Sequence, residues 1–122
     1  MKRRCLLIMT LLFVLSGVAF AGQEKIAVVA NGETPEASVS SRPGLAPFIL
    51  FFDADGKFME AVPNPGKNGV VVAGFLAKRG VTTIVAEGFG PIIVEIMKSE
   101  GIKPVAFTGT AEVAVKEVLR AK

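Results

Sequence analysis

Histidine, tyrosine and tryptophan are absent from this chain of 122 residues, and its one cysteine is Cys5. Each absence closes a route. Without His there is no Ser-His-Asp or Cys-His relay and no imidazole to hold a metal. With one Cys there is no intrachain disulfide and no Cys-x-x-Cys pair. No Ser stands in a Gly-x-Ser-x-Gly elbow, and no Gly-Lys-Ser/Thr closes a phosphate loop. Asp53 and Asp55 are close in sequence, but Asp53-Ala-Asp-Gly56 is a turn signal rather than a pair of carboxylates on a central strand. The chain carries no catalytic constellation, and a non-enzymatic role is expected.

A surplus of basic residues is lacking too, once its location is noted. The chain has 14 Lys and Arg against 11 Asp and Glu, and Lys2, Arg3 and Arg4 make up the whole difference. These three precede an apolar run from Leu6 to Val18, interrupted by Thr10, Ser16 and Gly17. Ala19-Phe20-Ala21 then sets small residues at the two positions a signal peptidase reads. The pattern predicts a secretory signal peptide over 1–21, cut between Ala21 and Gly22, and one domain over 22–122 that is periplasmic or secreted. The run is shorter than the roughly 20 apolar residues of a membrane span, so no membrane association is expected after cleavage. Cys5 lies ahead of the run, not behind it where a lipoprotein cysteine would stand, and leaves with the segment. The remaining domain carries eleven charges of each sign. A phosphate-tracking, nucleic-acid-binding role loses its electrostatic basis. With no disulfide available, about 100 residues must hold together by core packing alone.

Apolar runs separated by breakers set the element order. Strands are expected over 25–30 (KIAVVA), 47–52 (PFILFF), 57–62 (KFMEAV), 82–86 (TTIVA) and 103–107. A helix is expected over 70–79, ended by Gly80. A second starts at Pro91, behind Gly90, and ends at Gly101. A third is capped by Thr110 and runs to Arg120, with Glu112 and Lys116 spaced to pair. The order β-β-β-α-β-α-β-α is an α/β fold. Its βαβα half implies parallel strands. One five-stranded mixed sheet holds all the strands if the second runs antiparallel to the rest.

In such a sheet, ligands bind beyond the carboxyl ends of the parallel strands. Loops 31–46, 63–69 and 87–90 meet at that edge, each rich in Gly, Pro or Asn, and Thr108-Gly109-Thr110 adds a further helix start. Ser40, Ser41, Arg42, Asn64, Lys67, Asn68, Gly88, Gly90 and Thr110 are the candidate ligand-binding residues. Helix N-termini there favour a small anion. Two readings of AEGFGP (86–91) stay open at this point: tight strand-to-helix geometry alone, or a loop that admits close approach to its backbone. Arg42 and Lys67 are likewise open between site cations and solvated surface charge.

The stretches IAVVANG, SSRPGLAPFILFFD, NPG, GVTTIVAEGFGP, SEGIKPV and TGTAEVAVKEVL, in this order over about 25–119, resemble the dinitrogenase iron–molybdenum cofactor biosynthesis domain. That family includes carriers of the NifX and NafY type and the C-terminal domain of NifB. The resemblance implies a ribonuclease H-like fold, a helix over 70–79, and a role in binding or carrying iron–molybdenum or iron–sulfur cofactors. It places the ligand near 40–47, the NPG loop and the GFGP turn. Where family members often carry His, this sequence has Ser40, Ser41 and Asn68. Where a small residue is common it has Glu87, a carboxylate that would repel an anionic cluster. Only Met59 and Met97 remain as soft ligands, and both are expected in the core. No protein metal ligand is assigned, and the cofactor is implied by resemblance alone. A non-catalytic carrier of a small anionic or metal-cluster ligand is expected. The competing role is an exported interaction module that has lost the cofactor and binds another exported protein through a sheet edge or the apolar loop 43–48.

The intact mass of protein recovered from the periplasm is expected to begin at Gly22. A mass that retains residues 1–21 would refute the cleavage site.

Overall fold

The computed structural model describes residues 24–66 and 68–121. The segment 1–21 expected to be a signal peptide and the candidate Lys67 lie outside the described residues. The strands are β1 (Ile26–Ala30), β2 (Phe48–Phe52), β3 (Phe58–Pro63), β4 (Thr83–Ala86) and β5 (Lys103–Ala106). The helices are α1 (Gly69–Lys78), α2 (Pro91–Ser99) and α3 (Ala111–Arg120). Every expected element is present, with ends displaced by one or two residues.

The sheet order is β3-β2-β1-β4-β5. β1 pairs parallel to β4, and β4 parallel to β5. β2 is antiparallel to both of its neighbours. The second strand is thus the one that runs against the rest, as the element order requires. Its hairpin to β3 turns on Asp53. The Asp53 carboxylate accepts from the N–H groups of Asp55 and Lys57, both at 2.9 Å. This holds the pair of aspartates in a turn.

β1 is buried over its whole length, and its alternation assigns each side chain to one of two cores. Ala27 and Val29 face one layer with Ile49, Phe51, Ile84, Val72 and Leu76 of α1, and Met97 of α2. Ile26, Val28 and Ala30 face the other with Leu50, Phe52, Val85, and Ala114, Val115 and Val118 of α3. Two helices therefore cover one face and one covers the other, which explains the continuous apolar runs of the central strands. α1 and α2 both stop at a left-handed glycine, Gly80 (φ 74°) and Gly101 (φ 77°). The next N–H in each case turns back into the helix, Val81 to the Leu76 carbonyl and Ile102 to the Met97 carbonyl. The ion pair of α3 is Glu117–Arg120 at 2.6 Å, not the expected Glu112–Lys116. Met97 is in the core as expected, but Met59 is 53% exposed. β3 is an edge strand, and no helix covers its outer side chains.

Loop 31–46 has three parts. Residues 31–38 leave β1 and return. The Asn31 N–H donates to the Ser38 carbonyl, and Ala30 bridges Val39 in antiparallel sense. Residues 38–40 then cross the ends of β1 and β4. Residues 41–46 form an arch that enters β2, with Ser41, Arg42 and Leu45 exposed and Pro43 and Ala46 buried. No helix among the described residues is long and apolar enough to cross a membrane.

Leu76 is fully buried between α1 and the sheet. Leu76→Ala is expected to lower the unfolding free energy by about 2–5 kcal/mol, measured by urea denaturation. A loss under 1 kcal/mol would contradict this packing.

Candidate functional site

The connections after β1 and β4 run to opposite sides of the sheet, so the switch point lies between these two strands. Ser40 fills that gap. Its N–H donates to the Val29 carbonyl (2.8 Å), and its carbonyl accepts from the Glu87 N–H (2.9 Å). The residue is 4% exposed, and its hydroxyl turns to the Arg42 carbonyl at 3.5 Å. The crossing closes the crevice itself. It leaves an opening beside it, on the α1–α2 side.

A cavity of about 660 Å³ occupies that opening. The arch supplies Ser41, Arg42 and Leu45, the start of α1 supplies Asn68 and Gly69, and the β4–α2 turn supplies Gly88, Phe89, Gly90 and Ile93. Five of the nine expected residues therefore meet there: Ser41, Arg42, Asn68, Gly88 and Gly90. Three do not. Ser40 is consumed by the crossing. Asn64 spends its amide on the protein, donating to the carbonyls of Pro43 (2.8 Å) and Ala46 (2.9 Å) and accepting from the Gly66 N–H (3.0 Å). Thr110 lies on the far side of the crossing, where Ser38 bridges it. The start of α3 is already filled, because the Ala111 and Glu112 N–H groups donate to the Ala37 and Pro35 carbonyls. Lys67 is outside the described residues. Glu87 is exposed but does not line the cavity. Leu45, Phe89 and Ile93 form an apolar share of the wall that the polar candidates do not include. The hydrophobic loop 43–48 was its sequence signal.

The electrostatics of the cavity are one-sided. Arg42 is exposed and, among the described residues, has no ion-pair partner. It is the one charged side chain among the lining residues described. Two helix N-termini open here. At α1 the Asn68 side chain accepts from the Val71 N–H at 3.1 Å, leaving the Gly69 and Val70 N–H groups with no acceptor among the described residues. At α2 the N-cap is Gly90, with no side-chain cap and Pro91 in the first position. The Ile92 and Ile93 N–H groups likewise have no acceptor among the described residues. Free N–H groups and two positive dipole ends make this wall a place for negative charge.

The glycines divide into two kinds. Gly69 and Gly44 are required by packing. A Cβ on Gly69 would run into the Ile93 side chain, and one on Gly44 would stand 2.8 Å from the Asn68 Cα. Gly88 and Gly90 are not. Neither has a positive φ, a Cβ on Gly88 would meet only the Ser41 carbonyl at 3.9 Å, and one on Gly90 would meet nothing within 4 Å. Gly90 is also an acceptable N-cap. Gly88 has no local reason to lack a side chain. Turn geometry alone therefore does not account for AEGFGP; the missing side chains leave the backbone open to the cavity.

No histidine or cysteine is found among the described residues, and neither methionine lines the cavity. No group of three or more acidic, His or Cys side chains among the described residues can hold a metal ion. A metal-containing ligand would be held here by hydrogen bonds, charge and shape rather than by side-chain coordination.

Residues 24–121 match the family model described as dinitrogenase iron–molybdenum cofactor. No curated protein matches the sequence. Among solved structures, the apo form of the orange protein from Desulfovibrio gigas superposes with a TM-score of 0.73 at 27% identity, covering 80% of this chain and 88% of that one. A Thermotoga protein described as a candidate NifB gives 0.68 at 24%, over 80% and 88%. A Methanocaldococcus jannaschii protein described as a candidate dinitrogenase gives 0.56 at 9%, over 81% and 90%. The last two likenesses are of fold.

The two kinds of glycine separate in stability. Gly69→Ala is expected to destabilise by about 1–3 kcal/mol through overpacking on Ile93. Gly88→Ala is expected to be neutral or to stabilise by about 0.4–1 kcal/mol, through a stiffer unfolded chain. Denaturant midpoints of the two variants, measured side by side, check the distinction.

Proposed function

Because this chain belongs to the dinitrogenase iron–molybdenum cofactor family, we propose that it is a non-catalytic carrier, exported by its N-terminal signal, that holds a small anionic or metal-cluster ligand in the cavity between arch 41–46, the start of α1 and the β4–α2 turn. The observation that carries this is Gly88. It faces open space, adopts no conformation that calls for glycine, and borders two helix N-termini whose first N–H groups have no acceptor among the described residues. Such a wall suits a bulky anion that approaches the main chain.

The chemistry of the donors narrows the mode of binding. Arg42 supplies charge and up to five N–H donors, and Lys67, next to Asn68 in the chain, is the second cation of the proposal. Ser41 and Asn68 add polar contacts. Leu45, Phe89 and Ile93 give an apolar side, which suits a soft and weakly hydrated anion. Inner-sphere exchange with protein sulfur or imidazole is not needed, so the cargo enters and leaves without breaking a metal–protein bond.

A second role uses the same edge. Leu45 is 69% and Ile92 74% exposed, and Val70 and Val71 at the start of α1 are exposed as well. Apolar side chains gathered on one edge mark interaction surfaces. An interaction module on this fold, without a cofactor, would bind another exported protein there. A stable complex with such a partner and no small ligand would favour it.

Native mass spectrometry with metal analysis, on mature protein isolated anaerobically from the periplasm, is expected to show added mass with molybdenum or iron. A bare polypeptide mass, together with no binding of tetrathiomolybdate in titration, would overturn the carrier role. In that titration the double variant Arg42→Ala, Lys67→Ala is expected to lose affinity on the order of tenfold or more, since hydrogen bonds to charged groups contribute about 1.5–3 kcal/mol each. Gly88→Val is expected to lose affinity without losing stability.

A further inference from the structure

We infer that Asn64 is a positioning residue of the cavity: its side chain holds arch 41–46, and with it Arg42, in register with the start of α1. This rests on the proposed function of the cavity, but the geometry behind it does not. The arch is tied down at two places. At its beginning the Ser40 backbone is bonded between Val29 and Glu87. At its end Pro43 and Ala46 are buried, and their carbonyls are both held by a single side-chain amide. Both donors of the Asn64 side chain are committed, to the carbonyls of Pro43 and Ala46, which flank Gly44 and Leu45. Its oxygen accepts from Gly66, on the segment that leads to α1. Its own N–H donates to the Pro47 carbonyl. One side chain therefore staples the arch to the β3–α1 loop. The result is visible at Gly44, which lies so close to Asn68 that a Cβ would not fit. Within the arch the Leu45 N–H donates to the Arg42 carbonyl at 3.3 Å, so the position of Arg42 follows from where Pro43 to Ala46 are held.

The staple serves the cavity as well as the core layer that Ala46 joins. β3 is already fixed by pairing with β2 through Phe48–Pro63. The carbonyls that Asn64 binds belong to the arch and to no strand. An aspartate in its place has the same shape and keeps the acceptor for Gly66, but sets an oxygen against two carbonyl oxygens in place of the two N–H donors. The arch is then released while the sheet stays paired.

The test uses Asn64→Asp and Asn64→Ala in the mature chain. Amide exchange followed by mass spectrometry is expected to quicken about tenfold or more over 41–46 in both variants and at Gly66 in Asn64→Ala alone, while β1 and β4 stay as protected as in the parent. Titration with tetrathiomolybdate is expected to show an affinity loss on the order of tenfold, and an altered visible circular dichroism of the bound anion, a signature of site geometry that a fall in global stability alone would not produce. Unchanged exchange over 41–46 would overturn the inference, and so would faster exchange with the parent's affinity and dichroism. Equal loss of protection in β1 and β4 in both variants would also overturn it, assigning Asn64 to the core. If the parent itself binds no tetrathiomolybdate and is isolated as bare polypeptide, the carrier proposal is what fails, and the exchange measurement still decides whether Asn64 holds the arch.

Discussion

Two hydrogen bonds of one peptide segment set the form of the functional edge: Ser40 N–H to Val29, and Glu87 N–H to Ser40. β1 and β4 lie side by side and parallel, and their connections leave in opposite directions. An open crevice would otherwise expose the backbone groups at the strand ends, and buried groups of that kind must find partners. The crossing supplies them. It also divides the edge, placing the start of α3 on one side, already bonded to residues 35 and 37, and the starts of α1 and α2 on the other. The cavity is on the side where N–H groups stay unused among the described residues.

What the cavity then offers follows from which atoms are missing. It has main-chain donors, one described guanidinium and apolar walls, and among the described residues it has no thiolate, imidazole or thioether. Direct coordination of a soft metal needs those groups. Outer-sphere recognition does not, and it asks instead for open backbone. Gly88 provides that for the site rather than for the fold, because neither its conformation nor its neighbours demand glycine. Gly69 and Gly44 do the opposite work, letting α1, α2 and the arch approach closely enough to make a wall.

Much of this protein was legible in its sequence. Apolar runs too short for helices, glycines after Arg79 and Glu100, and Thr110 before an amphipathic segment set the order and nearly the ends of the elements, because these signals act within a few residues. The antiparallel second strand followed from a short hairpin at Asp53–Gly56 and from parallel crossovers later on. The same local logic gathered Ser41, Arg42, Asn68, Gly88 and Gly90 at one edge, since residues that follow parallel strands share an end of the sheet. Met59 and the Glu112–Lys116 pair were misjudged for one reason: which neighbours lie over an exposed face is not a local property.

Tertiary structure decided the rest. Ser40, Asn64 and Thr110 carry the polar groups of a binding site and stand in the right loops, yet each is bonded to a segment distant in the chain or cut off by one. Asn64 finds its partners 18 and 21 residues away. Thr110 is separated from the cavity by a loop that begins at residue 31. A hydrogen-bonding side chain looks the same in sequence whether it is spent on the fold or kept for a ligand, and only the folded neighbours show which. The glycines behave likewise: Gly69 and Gly88 are indistinguishable as letters, and what separates them is whether a side chain from another element stands where a Cβ would be.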